Sequence, residues 1–326
     1  MRETICARSE GVRRFRNSDI IRSDYALVLA PGARTGKIVA RGRTQERQGG
    51  GVPGSLFAVS DLHSSYAENW RIVDNLRPES GDDWLIVAGD VGETFGDIEN
   101  ALRLLRQRYA KVIWAPGNHE LWTHDQDPVQ VRGEARYRAL VQMCQDNHIL
   151  TPEDEFAVWP GPTGAMTIVP LFQLYDHSWL PPGTTTKKES LEYAYRTGVV
   201  SADEMILYSD PYPDRESWCD ARLKESERRL SALGSDVKTV LVSHWPLVRQ
   251  PTDALRRPEF AQWCGTTRTA DWHTRFRAEV AVYGHLHIPR TTHYDGVRFE
   301  EVSLGYPREW SKRAKPPVIP KKVLPG

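Results

Sequence analysis

The chain contains no apolar run approaching the roughly 20 residues that a membrane-spanning helix needs, which excludes a helical membrane protein as the reading. Cysteine is scarce. Cys6, Cys144, Cys219 and Cys264 are the only four in 326 residues, and none forms a C-x-x-C pair. A thiolate zinc knot and a disulfide framework are therefore not expected; buried, reduced thiols in a cytoplasmic protein are. An excess of one charge is missing too. Lys plus Arg and Asp plus Glu are 43 each, which argues against a uniformly basic nucleic-acid binder. With 40% hydrophobic and 26% charged residues, wholesale disorder is excluded as well. The N-terminus reads as a poor secretory signal. The best early apolar stretch, 25–30, is short and follows Asp19, Arg22 and Asp24, and Arg13-Arg14 only weakly matches a twin-arginine signal.

The neutrality is a cancellation. Residues 1–50 carry a net +6 and 308–326 a net +5, so the body between them is strongly acidic, at −11. The polar, glycine-rich stretch 44–54 reads as a linker. We expect 1–54 to be a flexible basic extension, 55–307 the functional domain, and the Pro-rich basic end 308–326 an exposed tail. Within the domain, apolar runs at 56–60, 84–89 and 111–117 alternate with helical patterns at about 65–77 and 97–109, as in a mostly parallel α/β sheet. Further strands are expected at 167–172, 239–243, 279–284 and 297–305, and a charged amphipathic helix at 216–233. The stretch 173–214 looks irregular and too long for an ordinary connection, so it is expected to be a substrate-facing insertion or lid.

The informative residues stand at the ends of the strands. Five apolar runs end in metal-ligand or proton-transfer side chains: Asp61-Leu62-His63, Gly89-Asp90, Gly117-Asn118-His119-Glu120, Ser243-His244 and Gly284-His285-Leu286-His287. Five of the ten histidines lie in these segments. Ligands of open α/β sheets bind beyond the carboxyl ends of strands. One such residue alone reads as a turn former or a satisfied histidine; five in series do not. Carboxylate, amide oxygen and imidazole donors suit Mn, Fe, Zn, Co or Mg. Seven candidate ligands exceed the need of one ion and, with one carboxylate shared, suit two divalent metal ions.

These blocks, in this order and with βαβ units between the first three, resemble the calcineurin-like metallophosphoesterase superfamily over roughly 56–305. The resemblance implies a two-sheet α/β sandwich. It also implies a binuclear centre in which Asp61, His63 and His287 hold one metal, Asn118, His244 and His285 hold the other, and Asp90 bridges them. It further implies His119 as general acid, oriented by Glu93, a carboxylate where the family usually has Asp. The arginines that come after the second and third blocks in the protein Ser/Thr phosphatase branch are absent, so that branch is not expected. With an acidic body and no basic stripe, the first expectation is hydrolysis of a phosphomonoester of a small organic molecule. A phosphodiesterase or nuclease on the same centre is the alternative, and a non-catalytic scaffold a remote one. Core packing is the plainer reading of Trp122, Trp245 and Tyr306; the sharper one is an aromatic-walled pocket in which they, together with His177, bind substrate. Oligomeric state leaves no mark in the sequence.

Overall fold

The computed structural model describes residues 54–162, 164–314 and 318–325. The expected extension 1–54 lies outside the described residues apart from Gly54. The strands are β1 (Leu56–Val59), β2 (Trp84–Ala88), β3 (Lys111–Ala115), β4 (Ala157–Trp159), β5 (Met166–Pro170), β6 (Thr239–Val242), β7 (Ala278–Tyr283), β8 (Arg290–Tyr294), β9 (Val297–Glu301) and β10 (Lys321–Leu324). The α-helices are α1 (Ala67–Val73), α2 (Phe95–Arg108), α3 (Asn118–Leu121), α4 (Gly133–Asp146), α5 (Lys187–Arg196), α6 (Asp203–Ile206), α7 (Arg215–Ser231), α8 (Trp272–Arg275) and α9 (Pro307–Trp310). None of the described helices is long and apolar enough to cross a membrane.

The strands form two sheets, ordered β10-β1-β2-β3 and β4-β5-β6-β7-β9-β8. Strands β1–β2–β3 and β5–β6–β7–β9 run parallel. Alternation along each strand separates two cores. Leu56, Ala58, Ile86, Ala88, Val240 and Val280 belong to an apolar cluster shared by the two sheets. Their neighbours Phe57, Val59, Leu85 and Val87 belong instead to the cluster that takes in Ile98, Leu102 and Leu105 of α2. Burial on both faces is why these strands read as continuous apolar runs rather than alternating ones. Helix α2 begins at Thr94, whose side chain accepts from Asp97 N at 3.2 Å, and ends with Arg106 and Arg108, so both ends suit the helix dipole.

Two expectations are corrected. The basic end is not wholly an exposed tail: β10 pairs antiparallel with β1, Val323 and Leu324 are buried, and Lys321 and Lys322 pair with Glu300 and Glu79. A four-residue strand, K-K-V-L, is too short to display a period; the open edge of β1 and the apolar cluster beneath it supply what local pattern lacks. The stretch 173–214 is not irregular throughout, since it contains α5 and α6. Thr186 caps α5 by accepting from Glu189 N at 3.2 Å, and only Ser190 and Ala194 of α5 are buried, too few to print an apolar stripe.

Candidate metal centre

The parallel strands bring their carboxyl ends to one edge, where backbone hydrogen bonds tie the loops together. Asp61 N donates to Gly89 O at 2.9 Å, His63 N to Asp90 O at 3.0 Å, and Gly284 N to His244 O at 2.9 Å. Leaving a strand abruptly while aiming side chains back at this edge requires unusual backbone. Asp61, His63, Asp90, His285 and His287 all have φ between 41° and 68°. Non-glycine residues rarely occupy this region, and such strain concentrates at functional sites. Gly284, at the head of the last block, could serve a turn or a close approach. The positive φ falls on His285 and His287 instead; Gly284 is required for contact, because a Cβ there would lie 1.9 Å from Ser60 Oγ and 2.3 Å from Asp61 Oδ2.

Three groups of ligand-type atoms result, each with its atoms within 4.8 Å of one another: Asp61–His63–His287, His63–Asp90–His119 and Asp90–His244–His285. His287 Nε2 is 3.0 Å from Asp61 Oδ1 and 3.3 Å from His63 Nε2. Its Nδ1 faces Glu309 Oε2 at 2.6 Å. His244 Nδ1 donates to Ala88 O at 2.9 Å, while its Nε2 faces Asp90 Oδ2 at 3.3 Å and His285 Nδ1 at 3.1 Å. Where one ring nitrogen is committed as a donor, the other nitrogen of a neutral imidazole carries a lone pair. Here those lone pairs point at carboxylate oxygens and at each other, an arrangement that a shared cation holds together. Asn118 completes the test of fit. Its Nδ2 donates to Asp203 Oδ1 at 3.0 Å, and its Oδ1 is buried with no hydrogen-bond partner. The donor set thus fits divalent cations.

Burial disfavours the charged form of His244, yet Asp90 and Asp61 push its pKa up to about 9, and a bound cation would take the place of that proton. Burial alone would raise the pKa of Asp61, but His287 and His244 outweigh it and hold the carboxyl well below its ordinary range. Asp90 is held down in the same way, by His244 and His119 against burial. His119 is 3.3 Å from Glu93 Oε1 through Nδ1, and its Nε2 is 3.3 Å from Tyr306 Oη and 3.7 Å from Asp90 Oδ2. Burial disfavours its charged form, yet Asp90 and Glu93 prevail, so its pKa lies above the ordinary value. Glu93 reaches further than the sequence implied: the same Oε1 is 3.2 Å from His63 Nδ1, so one carboxylate spans a candidate ligand and the candidate acid.

Of the residues expected to touch substrate, Trp122 and Tyr306 stand at the site. Trp122 packs on His119 with centroids 3.6 Å apart, and Tyr306 stacks on His63 at 4.2 Å. Trp245 is fully buried behind His244, 5.1 Å between ring centroids, so it packs that histidine from inside rather than walling an open pocket. His177 is buried as well. Its ring contacts among the described residues are Tyr175 and Trp263, and its Nε2 is 3.8 Å from Glu204 Oε1; none of these is a candidate ligand.

Carboxylates that sequence reasoning missed buttress the centre. Glu120, in the third block but given no role, accepts from Asp90 N, Val91 N and Gly117 N, each at 2.9 Å. Burial and the nearby Asp90 push its pKa up to about 7. Glu301 accepts from Ile288 N at 3.2 Å and so steadies the chain just past His287. Glu309, inside the supposed tail, also accepts from Tyr306 N at 3.0 Å. No spacing in the sequence points to Glu309, 22 residues beyond His287. Replacing Glu309 by alanine should weaken divalent-metal affinity by about 10- to 100-fold, the usual cost of losing a ligand's support. Glu309→Gln, still an acceptor, should stay near wild type. Equilibrium dialysis against Mn or Zn measures both, and unchanged affinity in the alanine variant would refute this role.

Comparison with known proteins agrees with this geometry. The family model for calcineurin-like phosphoesterase matches residues 55–289. The [acyl-carrier-protein] phosphodiesterase PptH of Mycobacterium tuberculosis is 55% identical over 275 residues, 84% of this chain and 85% of that protein. The crystal structure of phosphopantetheinyl hydrolase (PptH) from the same organism superposes with a TM-score of 0.82 at 54% identity, covering 85% of this chain and 98% of that one. A symmetrical bis(5'-nucleosyl)-tetraphosphatase of Xylella fastidiosa is 26% identical over 171 residues, 51% of this chain and 57% of its own length. These findings overturn the first expectation, a phosphomonoesterase of small molecules, and favour the diesterase alternative, because the 55% identical relative is a phosphodiesterase. The physical reason for the error is plain. The residues that hold metals serve monoesters and diesters alike, and an acidic body disfavours a polyanionic nucleic acid without disfavouring a diester as such. Five motif blocks converge on one edge of a two-sheet sandwich, and the family model covers most of the chain: it belongs to the calcineurin-like phosphoesterases and is a metallophosphoesterase.

Proposed function

We propose that this chain is a phosphodiesterase that hydrolyses the ester joining a phosphopantetheine group to a carrier protein, on a centre of two divalent ions. The observation that carries the substrate class is the 55% identical relative, alike over 84% of this chain and 85% of its own length. Asp61, His63 and His287 would hold one ion, Asn118, His244 and His285 the other, and Asp90, which belongs to two of the three ligand groups, would bridge them. When bound, such ions supply Lewis acidity and an acidified water. The protein supplies the rest. His119 Nε2 gives a proton to the departing ester oxygen as the phosphorus–oxygen bond breaks and the oxygen of water joins phosphorus. Glu93 holds the other ring nitrogen of His119 and favours its charged form. Tyr306 Oη, 3.3 Å from His119 Nε2, is placed to share a phosphoryl oxygen or the same proton.

The test is direct. Incubated with a phosphopantetheinylated carrier protein and Mn or Mg, the enzyme should convert it to the unmodified protein, read as loss of the phosphopantetheinyl mass by intact-protein mass spectrometry. A bis-aryl phosphate should also be cleaved. Cleavage of the aryl diester with the carrier protein left intact would retain the diesterase and reject the carrier; cleavage of neither would reject both.

A further inference from the structure

Asp203 begins the short helix α6 inside the 173–214 insertion, outside every motif block, and is 1% exposed. Its Oδ1 accepts from Asn118 Nδ2 at 3.0 Å and from Trp122 Nε1 at 2.7 Å, and its Oδ2 accepts from Tyr175 Oη at 2.9 Å. Arg215 is recruited by the backbone: its Nη1 donates to Asp203 O at 2.6 Å, while its Nη2 pairs with Glu204 at 2.6 Å. The carboxylate is thus buried on three neutral donors, two of which belong to the centre.

An asparagine amide has nearly the same shape in its two flipped orientations, but only Oδ1 can bind a cation. A partner oxygen able both to donate and to accept would leave the choice open, but Asp203 Oδ1 is fixed as an acceptor by the indole N–H of Trp122, which can only donate. Held as an acceptor, that oxygen takes Nδ2 and sends Asn118 Oδ1 the other way; the flipped form would set lone pair against lone pair. In this structure Asn118 Oδ1 is the buried oxygen left without a partner. The oxygen that does this also holds the indole of Trp122, whose ring covers His119.

We propose that Asp203 is a positioning residue of the metal centre: it orients Asn118 as a ligand and holds Trp122 against His119, and so ties the insertion to both. This rests on the two-ion reading, and the experiment separates the two. Metal stoichiometry and affinity of the wild-type protein, by elemental analysis and equilibrium dialysis, test the two-ion reading alone. Asp203→Ala should weaken binding of one ion by about 10- to 100-fold. Asp203→Asn keeps an acceptor for Asn118 and Trp122 and can donate to Tyr175 Oη, so its affinity should stay within about threefold of wild type. In an Asn118→Ala background, Asp203→Ala should cause no further loss of metal, because its effect passes through Asn118. Wild-type affinity in Asp203→Ala would overturn the proposal. So would an undiminished loss in the Asn118→Ala background, or equal damage by Asp203→Asn, which would make the charge rather than the geometry decisive. Should the alanine variant fail to fold, Asp203→Ser, polar but too short to reach Asn118, takes its place in every comparison.

Discussion

Asp90→Ala is expected to cost at least one bound ion per chain and to lower diester turnover by about a thousandfold or more, beyond the roughly 10- to 100-fold expected when only a ligand's support is removed. The expectation rests on how many parts of the centre meet at this carboxylate. Oδ2 lies 3.3 Å from His244 Nε2 and 3.7 Å from His119 Nε2, and Oδ1 accepts from His119 N at 3.0 Å. His63 shares a group of ligand-type atoms with Asp90 and His119, so residues of both proposed metal positions and the candidate acid face one side chain. Alanine would remove the carboxylate that His244 Nε2 faces and the acceptor of His119 N. Gly117 shows how closely the loop is built around the carboxylate, since a Cβ at that position would lie 2.2 Å from Asp90 Oδ1. Elemental analysis of variant and wild type purified alike decides the matter, with circular dichroism confirming that the variant is folded. Two ions retained in Asp90→Ala would refute the bridging assignment.

His119→Ala is the second large effect, and its signature differs. Metal content should be unchanged, while turnover on an alkyl diester falls by about 10²- to 10⁴-fold, the usual contribution of a positioned proton donor. An aryl diester, whose leaving oxygen departs readily without a proton, should lose far less. This split between leaving groups distinguishes an acid from a ligand or a phosphate contact. The geometry favours the acid: Nδ1 is engaged by Glu93 at 3.3 Å, Nε2 is directed to the Tyr306 hydroxyl, and the ring is held between Trp122 on one side and His63, 4.6 Å away between centroids. Equal losses on aryl and alkyl substrates, or loss of metal, would remove His119 from this role. The two variants together separate failure to hold ions from failure to deliver a proton.

Much of the architecture is legible in the chain. Strands buried on both faces must be largely apolar, so β1, β2, β3, β5, β6 and β7 are visible as apolar runs, and the chemistry-bearing residues come directly after five of them; β9, V-R-F-E-E, is visible only as a mixed closing stretch. The longer helices α2 and α7 show through their patterning. The 14-residue α4 does not stand out in the sequence, nor do α5, β8 and β10, whose local patterns are weak. β8 is exposed or half-buried throughout and stands at the edge of its sheet, where nothing demands apolar residues. Monoester against diester is not legible, because the residues that recognise the second ester arm need not resemble any motif.

The chain alone decided which donors exist, in what order, and that each of five groups closes a strand; that information is local, carried by residues within a few positions of one another. Folding decided the rest. Asp203 reaches Asn118 across 85 positions of sequence, and His285 N donates to Asp61 Oδ2 across 224. Glu309 returns from beyond the last motif to hold His287, and Trp245, adjacent to His244 in sequence, turns inward and is lost to solvent. A hydrogen bond between distant segments needs only one acceptor at the right point in space, and a single carboxylate leaves no period, spacing or composition by which its partner could be read in advance.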